Sequence, residues 1–332
     1  MMKTLSRLRS GMPDRFLAAL ALGLAFVAFL TVDQIHWWQL KPDYAFGWLV
    51  PAFIVFVVYE RWPRLRAILS SGGQSPLPGW ARRTFATLAG LALVLGLVFF
   101  ALGALYRAGA GSTQPGSLAL AAGFAGALLG MVYFNTPEGR LGGSLPVTGW
   151  RALTSDARLR ATSLFLFPAL IWILSAPLLS SVENATSLFL LRRVVSVVFT
   201  VFSLLGYPLV QEGNVLVLPN GSVGVAEACS GIRSLTACLF AGSFLAATYV
   251  EGFWRKSLLV GVALVLAFLT NLLRSLFLTA WAYAYGSEAI EGRLHDATGF
   301  AVLGLTSVAL FCLLPLFRTG KGASGSVESA SR

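Results

Sequence analysis

Residues 257–282 read SLLVGVALVLAFLTNLLRSLFLTAWA, twenty-six positions with one charge, Arg274. About 20 apolar helical residues are enough to cross the hydrocarbon core of a bilayer, so the run predicts a membrane span. The whole chain agrees with it. Of its 332 residues 56% are hydrophobic and 12% charged, with a mean hydropathy of +0.75, where an ordinary soluble domain is about a quarter charged. Working outward, comparable runs lie at 16–32, 45–59, 84–106, 117–134, 161–180, 232–249 and 298–317. A ninth apolar stretch, 188–210, carries Arg192 and Arg193. The run from Phe16 to Val32 follows Lys3, Arg7, Arg9 and Arg15, and no small-residue cleavage site comes before Trp37-Trp38, so it reads as a retained first span. The expected fold class is an all-α integral membrane protein with about eight transmembrane helices.

The formal net charge is +11. In a soluble chain that excess would suggest nucleic acid, but in a membrane protein it marks loops held in the cytoplasm, and no nucleic-acid partner is expected. With eight spans and a cytoplasmic N-terminus, eighteen of the 25 Lys and Arg fall on the inner side, including Arg61, Arg64, Arg82, Arg83, Arg255 and Lys256. If 188–210 also crossed, the Arg255-Lys256 loop and the basic tail would both move outside, against the rule. That stretch is therefore expected at the outer interface, or dipping in and returning, with Arg192 and Arg193 at its polar edge. The resulting division is a cytoplasmic N-terminus (1–15), an N-terminal membrane region of five spans (16–186), a C-terminal core of interfacial segment, hairpin and three spans (187–317), and a disordered cytoplasmic tail (318–332).

Between the interfacial stretch and the sixth span, Gly213 to Val225 holds two β-prone runs separated by Asn220-Gly221, the signal of a short outer-face hairpin. Ala226-Glu227-Ala228-Cys229-Ser230-Gly231-Ile232-Arg233-Ser234 follows and leads into an apolar helix. Cys229 is thus at a helix N-terminus, where unpaired N–H groups, the positive dipole end and Arg233 one turn later favour a thiolate. Cys238 and Cys312 sit inside apolar runs and read as ordinary buried small residues. Asn271 and Arg274 share one helix face, and an intramembrane Arg generally lines a cavity or meets a partner. His295, with Asp296, stands just before the last span, on the same side of the membrane as Cys229 and Arg274, and can exchange a proton near neutral pH. His36, beside Trp37 and Trp38, belongs to an aromatic interfacial belt. No ligand spacing for a metal and no nucleotide loop is present, so no metal or cofactor is expected.

Taken together, EACSGIRS at 227–234, NLLR at 271–274 and HDATG at 295–299 resemble the exosortase and archaeosortase family, membrane cysteine transpeptidase-like sorting enzymes. Near the N-terminus, Tyr44 to Pro51 looks like the segment in which the family opens its second span with a Gly and a Pro, although Phe46 stands where a His is common. The resemblance is specific from Gly213 to Gly299. It implies Cys229, Arg274 and His295 as catalytic residues, and Glu227, Ser230, Gly231, Arg233, Asn271 and Asp296 are candidate supporting groups. It also implies exported, membrane-anchored substrates with a C-terminal sorting signal of the PEP-CTERM kind, a short motif followed by a transmembrane helix and a basic tail. Transfer would be to a lipid or glycan acceptor, or to water, at the outer face of a bacterial cytoplasmic membrane. From the residues alone two alternatives stay open: a multi-pass transporter whose path is lined by Asn271 and Arg274, and an acyl or lipid transferase using Cys229 as a transient acyl carrier.

Overall fold

In hydrocarbon no water satisfies the peptide groups, so each apolar run folds into a helix that satisfies them internally. The computed structural model describes residues 12–141, 149–219, 221–224 and 232–317. Among these, nine helices are long and apolar enough to cross a membrane, and the chain divides into two units, Met1–Leu178 and Leu179–Arg332.

The first unit contains α1 (Asp14–Leu40), a 3-10 helix (Pro42–Leu49), α2 (Val50–Leu69), α3 (Gly79–Ala110), α4 (Gln114–Asn135), a short α5 (Trp150–Ser155) and α6 (Ala157–Ser175). Thr113 caps α4 by accepting from Gly116 N–H, and Asp156 caps α6 by accepting from Leu159 N–H. α3 and α4 touch backbone to backbone: a Cβ on Gly96 would lie 2.3 Å from Ala127 N, and one on Gly123 would lie 2.4 Å from Phe100 N. This is the small-residue mode of membrane helix packing. A buried polar knot ties α1 to its neighbours. Trp37 Nε1 donates to Ser117 Oγ (2.7 Å), Gln34 Nε2 to the Trp172 carbonyl (3.1 Å) and Trp38 Nε1 to the Ser175 carbonyl (3.2 Å). Asp33 pairs with Arg107, and Tyr44 Oη accepts from Leu178 N–H at 2.9 Å. Gly47 is required because a Cβ there would collide with the Trp38 indole at 2.1 Å. Pro51 falls in the first turn of α2, where a missing N–H costs no helical hydrogen bond. His36 is exposed, edge-on to Trp37 with ring centres 5.2 Å apart.

The second unit runs α7 (Ser180–Leu204), β1 (Val210–Glu212), β2 (Val215–Leu218), β3 (Gly221–Gly224), α8 (Ile232–Tyr249), α9 (Phe253–Tyr285), a 3-10 helix (Ser287–Ile290) and α10 (Arg293–Phe317). The expected hairpin is β2–β3, paired from Leu218↔Gly221 to Val215↔Gly224, so Gly221 belongs to the strand rather than to the turn. A third strand, β1, extends it, with Glu212 opposite Val215 across Gly213, whose φ of 62° is the left-handed conformation a Gly adopts freely. At one end of the unit, Leu216, Leu218 and Val223 of the sheet form a core with Leu278 and Ala282 of α9, Ile290, and Val195, Val198 and Phe202 of α7. At the other, Leu245 and Ala246 pack with Leu259, Ala263, Leu310 and Leu314. The sheet thus marks the end of the unit where α9 finishes and α10 starts.

One expectation needs correction. A segment that dips into a bilayer and returns must break midway, whereas α7 is a single continuous helix that begins at Ser180, eight residues before the expected apolar stretch, and ends at Leu204. Its 25 residues measure roughly 36 Å at about 1.5 Å per residue. The re-entrant form is excluded.

Candidate functional site

The sheet end of the second unit gathers the polar residues of three helices. Arg274 lies in the second half of α9, and His295, Asp296, Thr298 and Gly299 occupy the first two turns of α10. The short link through the 3-10 helix Ser287–Ile290 returns the chain at once, so two groups 21 residues apart become neighbours. Arg274 Nη2 donates to the His295 carbonyl at 2.9 Å and Nε donates to Thr298 Oγ1 at 3.3 Å. Thr298 Oγ1 in turn donates to the His295 carbonyl at 2.9 Å. The guanidinium is therefore clamped by two of its nitrogens, while Nη1 has no hydrogen-bond partner among the described residues. Gly299 lies beside it: a Cβ there would stand 3.5 Å from Nη2, an ordinary contact.

Arg233, in the first turn of α8, is exposed and joins Arg274 and Asp296 as a charge acting on the His295 imidazole. His295 and Arg274 are both half-buried, and Asp296 is exposed. Asn271, one turn before Arg274 on α9, is buried, and its Oδ1 has no partner among the described residues. Cys229, Glu227, Ser230 and Gly231 lie outside the described residues. In sequence they fall between the end of β3 at Gly224 and the start of α8 at Ile232.

Deeper in the bundle α9 and α10 meet again through the hydroxyls of Thr270 and Thr306, 2.9 Å apart. Cys238 is buried beside Thr306, as expected of a packing residue. Cys312, for which the same burial was expected, faces outward instead, because it lies on the side of α10 opposite its packed residues Leu310 and Leu314. Among the described residues no group of three or more His, Cys, Asp or Glu is placed to hold a metal ion.

The order of parts is a three-stranded sheet, a helix opening with Arg233, a helix carrying Asn271 and Arg274, and a last helix opening with His295. A family model described as transmembrane exosortase matches residues 37–312, taking in both units. The chain belongs to the transmembrane exosortase family. No curated protein and no solved structure matches it. As an exosortase it is a multi-pass membrane protein of a sorting and processing family, and the match extends the resemblance from the C-terminal motifs back to Trp37.

Two residues of this exosortase's polar cluster were missed from sequence, Thr298 and Gly299. Both lie inside HDATG, three and four positions after His295, which is the spacing that returns a side chain to the same helix face. That spacing was the available signal, but Arg274, which Thr298 bonds and Gly299 lies beside, is 24 and 25 residues away in the chain.

Proposed function

We propose that the chain is a membrane-embedded cysteine peptidase or transpeptidase that processes exported proteins at a C-terminal sorting signal, with Cys229 as nucleophile. The observation that carries this reading is the clamped Arg274 beside His295, at the end of the unit where α8 starts, three residues after Cys229 in the sequence. In the proposed reaction Cys229 gives its proton to His295, and the thiolate attacks the scissile carbonyl. The C–N bond breaks, the amine leaves with the proton from His295, and a thioester to the N-terminal part of the substrate remains. An amine on a lipid or glycan acceptor, or water, then attacks the thioester, gives its proton to His295 and returns the thiolate. Arg274 Nη1, left over by the clamp, is the donor available to a thiolate or an oxyanion, and the first N–H groups of a helix can assist. Asn271 Oδ1 is an acceptor suited to orient the Cys229 segment, and Asp296 suits the His295 imidazole.

Charge distribution supports a location in a bacterial cytoplasmic membrane with both termini cytoplasmic and the site on the outer face. That arrangement needs α7 at the interface, and its Arg192 and Arg193, exposed at mid-length, favour this. Membrane-anchored exported proteins are the proposed partners.

The test follows a sorting-signal protein by gel mobility and mass in cells carrying wild type, Cys229→Ala, Arg274→Ala or His295→Ala at matched expression. Wild type removes the C-terminal segment and the three variants leave it whole. Normal processing by Cys229→Ala would contradict the nucleophile assignment and return the transporter alternative.

A further inference from the structure

α7 is divided lengthwise. Its buried residues, Leu191, Val194, Val195, Val198 and Phe202, lie between its middle and its C-terminal end and form the core with α9 and the sheet. The opposite face is exposed and presents Arg192, Arg193 and Ser196, with Leu188 and Phe189 one turn earlier. These residues and Ala185 line an open groove of about 590 Å³. The Arg193 guanidinium lies 5.4 Å above the centre of the Phe189 ring, a contact that holds the charge over an apolar floor. Neither arginine has an ion pair or a hydrogen-bonded side-chain partner among the described residues.

Two adjacent guanidiniums without a counter-ion, on an apolar helix of a membrane protein, call for an anion from their surroundings. They are the thirteenth and fourteenth of 25 residues, so an upright α7 would leave both roughly 18 Å from either end, beyond the reach of snorkelling. Lying at headgroup depth, the same helix sets them among phosphates, with Leu188 and Phe189 beside them on the same face to meet the first methylenes of a lipid chain. We infer that the exposed face of α7 binds an anionic glycerophospholipid, its phosphate held by Arg192, Arg193 and the Ser196 hydroxyl and its first chain methylenes filling the groove. Planar guanidiniums suit a phosphate's oxygens, and a free phosphate would leave the apolar part of the groove empty. The inference rests on α7 alone and not on the Cys229 chemistry.

The test takes full-length protein in detergent, stripped of lipid, and measures retained phosphatidylglycerol and phosphatidylcholine by native mass spectrometry. Wild type is expected to prefer phosphatidylglycerol roughly thirtyfold, the effect of two basic groups at an anionic surface. Arg192→Gln with Arg193→Gln removes the preference, the paired Lys substitutions keep most of it, and Arg255→Gln with Lys256→Gln leaves it intact. Loss in the last variant, or none in the first, overturns the proposal. Phenylglyoxal labelling of wild type needs no variant: phosphatidylglycerol should protect Arg192 and Arg193, and phosphatidylcholine should not. Equal protection by both lipids, or by glycerol 3-phosphate alone, would overturn it as well.

Discussion

The α3–α4 pair of the first unit and the α9–α10 pair of the second are both membrane helices in close contact, but they are joined by opposite means. Between α3 and α4 the seam is glycine, with backbones so close that a methyl group on Gly96 or Gly123 would strike the other helix's backbone. Between α9 and α10 the seam is apolar at the far end, at Leu259, Ala263, Leu310 and Leu314, and turns polar toward the sheet: the Thr270–Thr306 hydroxyl pair, then Arg274 held by Thr298 and the His295 carbonyl. A glycine seam leaves no donor or acceptor over. The polar seam leaves Arg274 Nη1 and Asn271 Oδ1 without partners among the described residues, and polar groups left over inside a membrane protein are expensive unless something else uses them. The first seam is scaffold; the second is where the proposed chemistry sits.

That contrast can be broken by substitutions that should affect one property and not the other. The largest expected effect is on processing by His295→Ala, a fall of about 10⁴-fold, at the upper end for loss of a general acid-base group, with thermal stability in detergent unchanged. Arg274→Lys comes next. A lysine keeps the charge but cannot clamp with two nitrogens and present a third, so processing should fall about 10²- to 10³-fold, the effect of losing one oxyanion donor. A lysine variant as active as wild type would make Arg274 a mere charge. Gly123→Val should do the reverse: it overpacks α3 against α4 and costs about 1–3 kcal/mol of stability, read as a lower melting temperature, while the folded fraction processes at the wild-type rate. The smallest effect is that of Thr298→Val, a fall in processing of roughly tenfold from loss of one hydrogen bond to a charged group. Thr298→Ser should restore it, because the hydroxyl and not the methyl group accepts from Arg274.

Much of this was legible in the chain before its fold was known. Apolar runs of membrane-spanning length announce themselves, and Asn220-Gly221 between β-prone runs located β2 and β3. Arg274 and His295 could be brought together by sidedness alone, because α9 ends and α10 begins at the same end of the bundle. Other features were hidden for physical reasons. The first third of α7, with Glu183 and Asn184, is too polar to join the apolar stretch that follows, so its single-helix length was not seen. β1 has three residues, too few for an alternation pattern, and only its pairing with β2 defines it. The knot of Gln34, Trp37 and Trp38 with Ser117, Trp172 and Ser175 joins residues up to 141 apart, where no local spacing records a contact. Thr298 is of the same kind: its distance from His295 is readable, and its bond to Arg274 is not.

The central claim is that Cys229 carries the substrate as a thioester, and the most direct measurement is the mass of the Cys229 peptide from enzyme isolated during turnover of a sorting-signal protein. The account predicts an added mass equal to the N-terminal product, lost on treatment with hydroxylamine and absent from Cys229→Ala. An unmodified Cys229 peptide under active turnover, together with normal processing by Cys229→Ala, would contradict it.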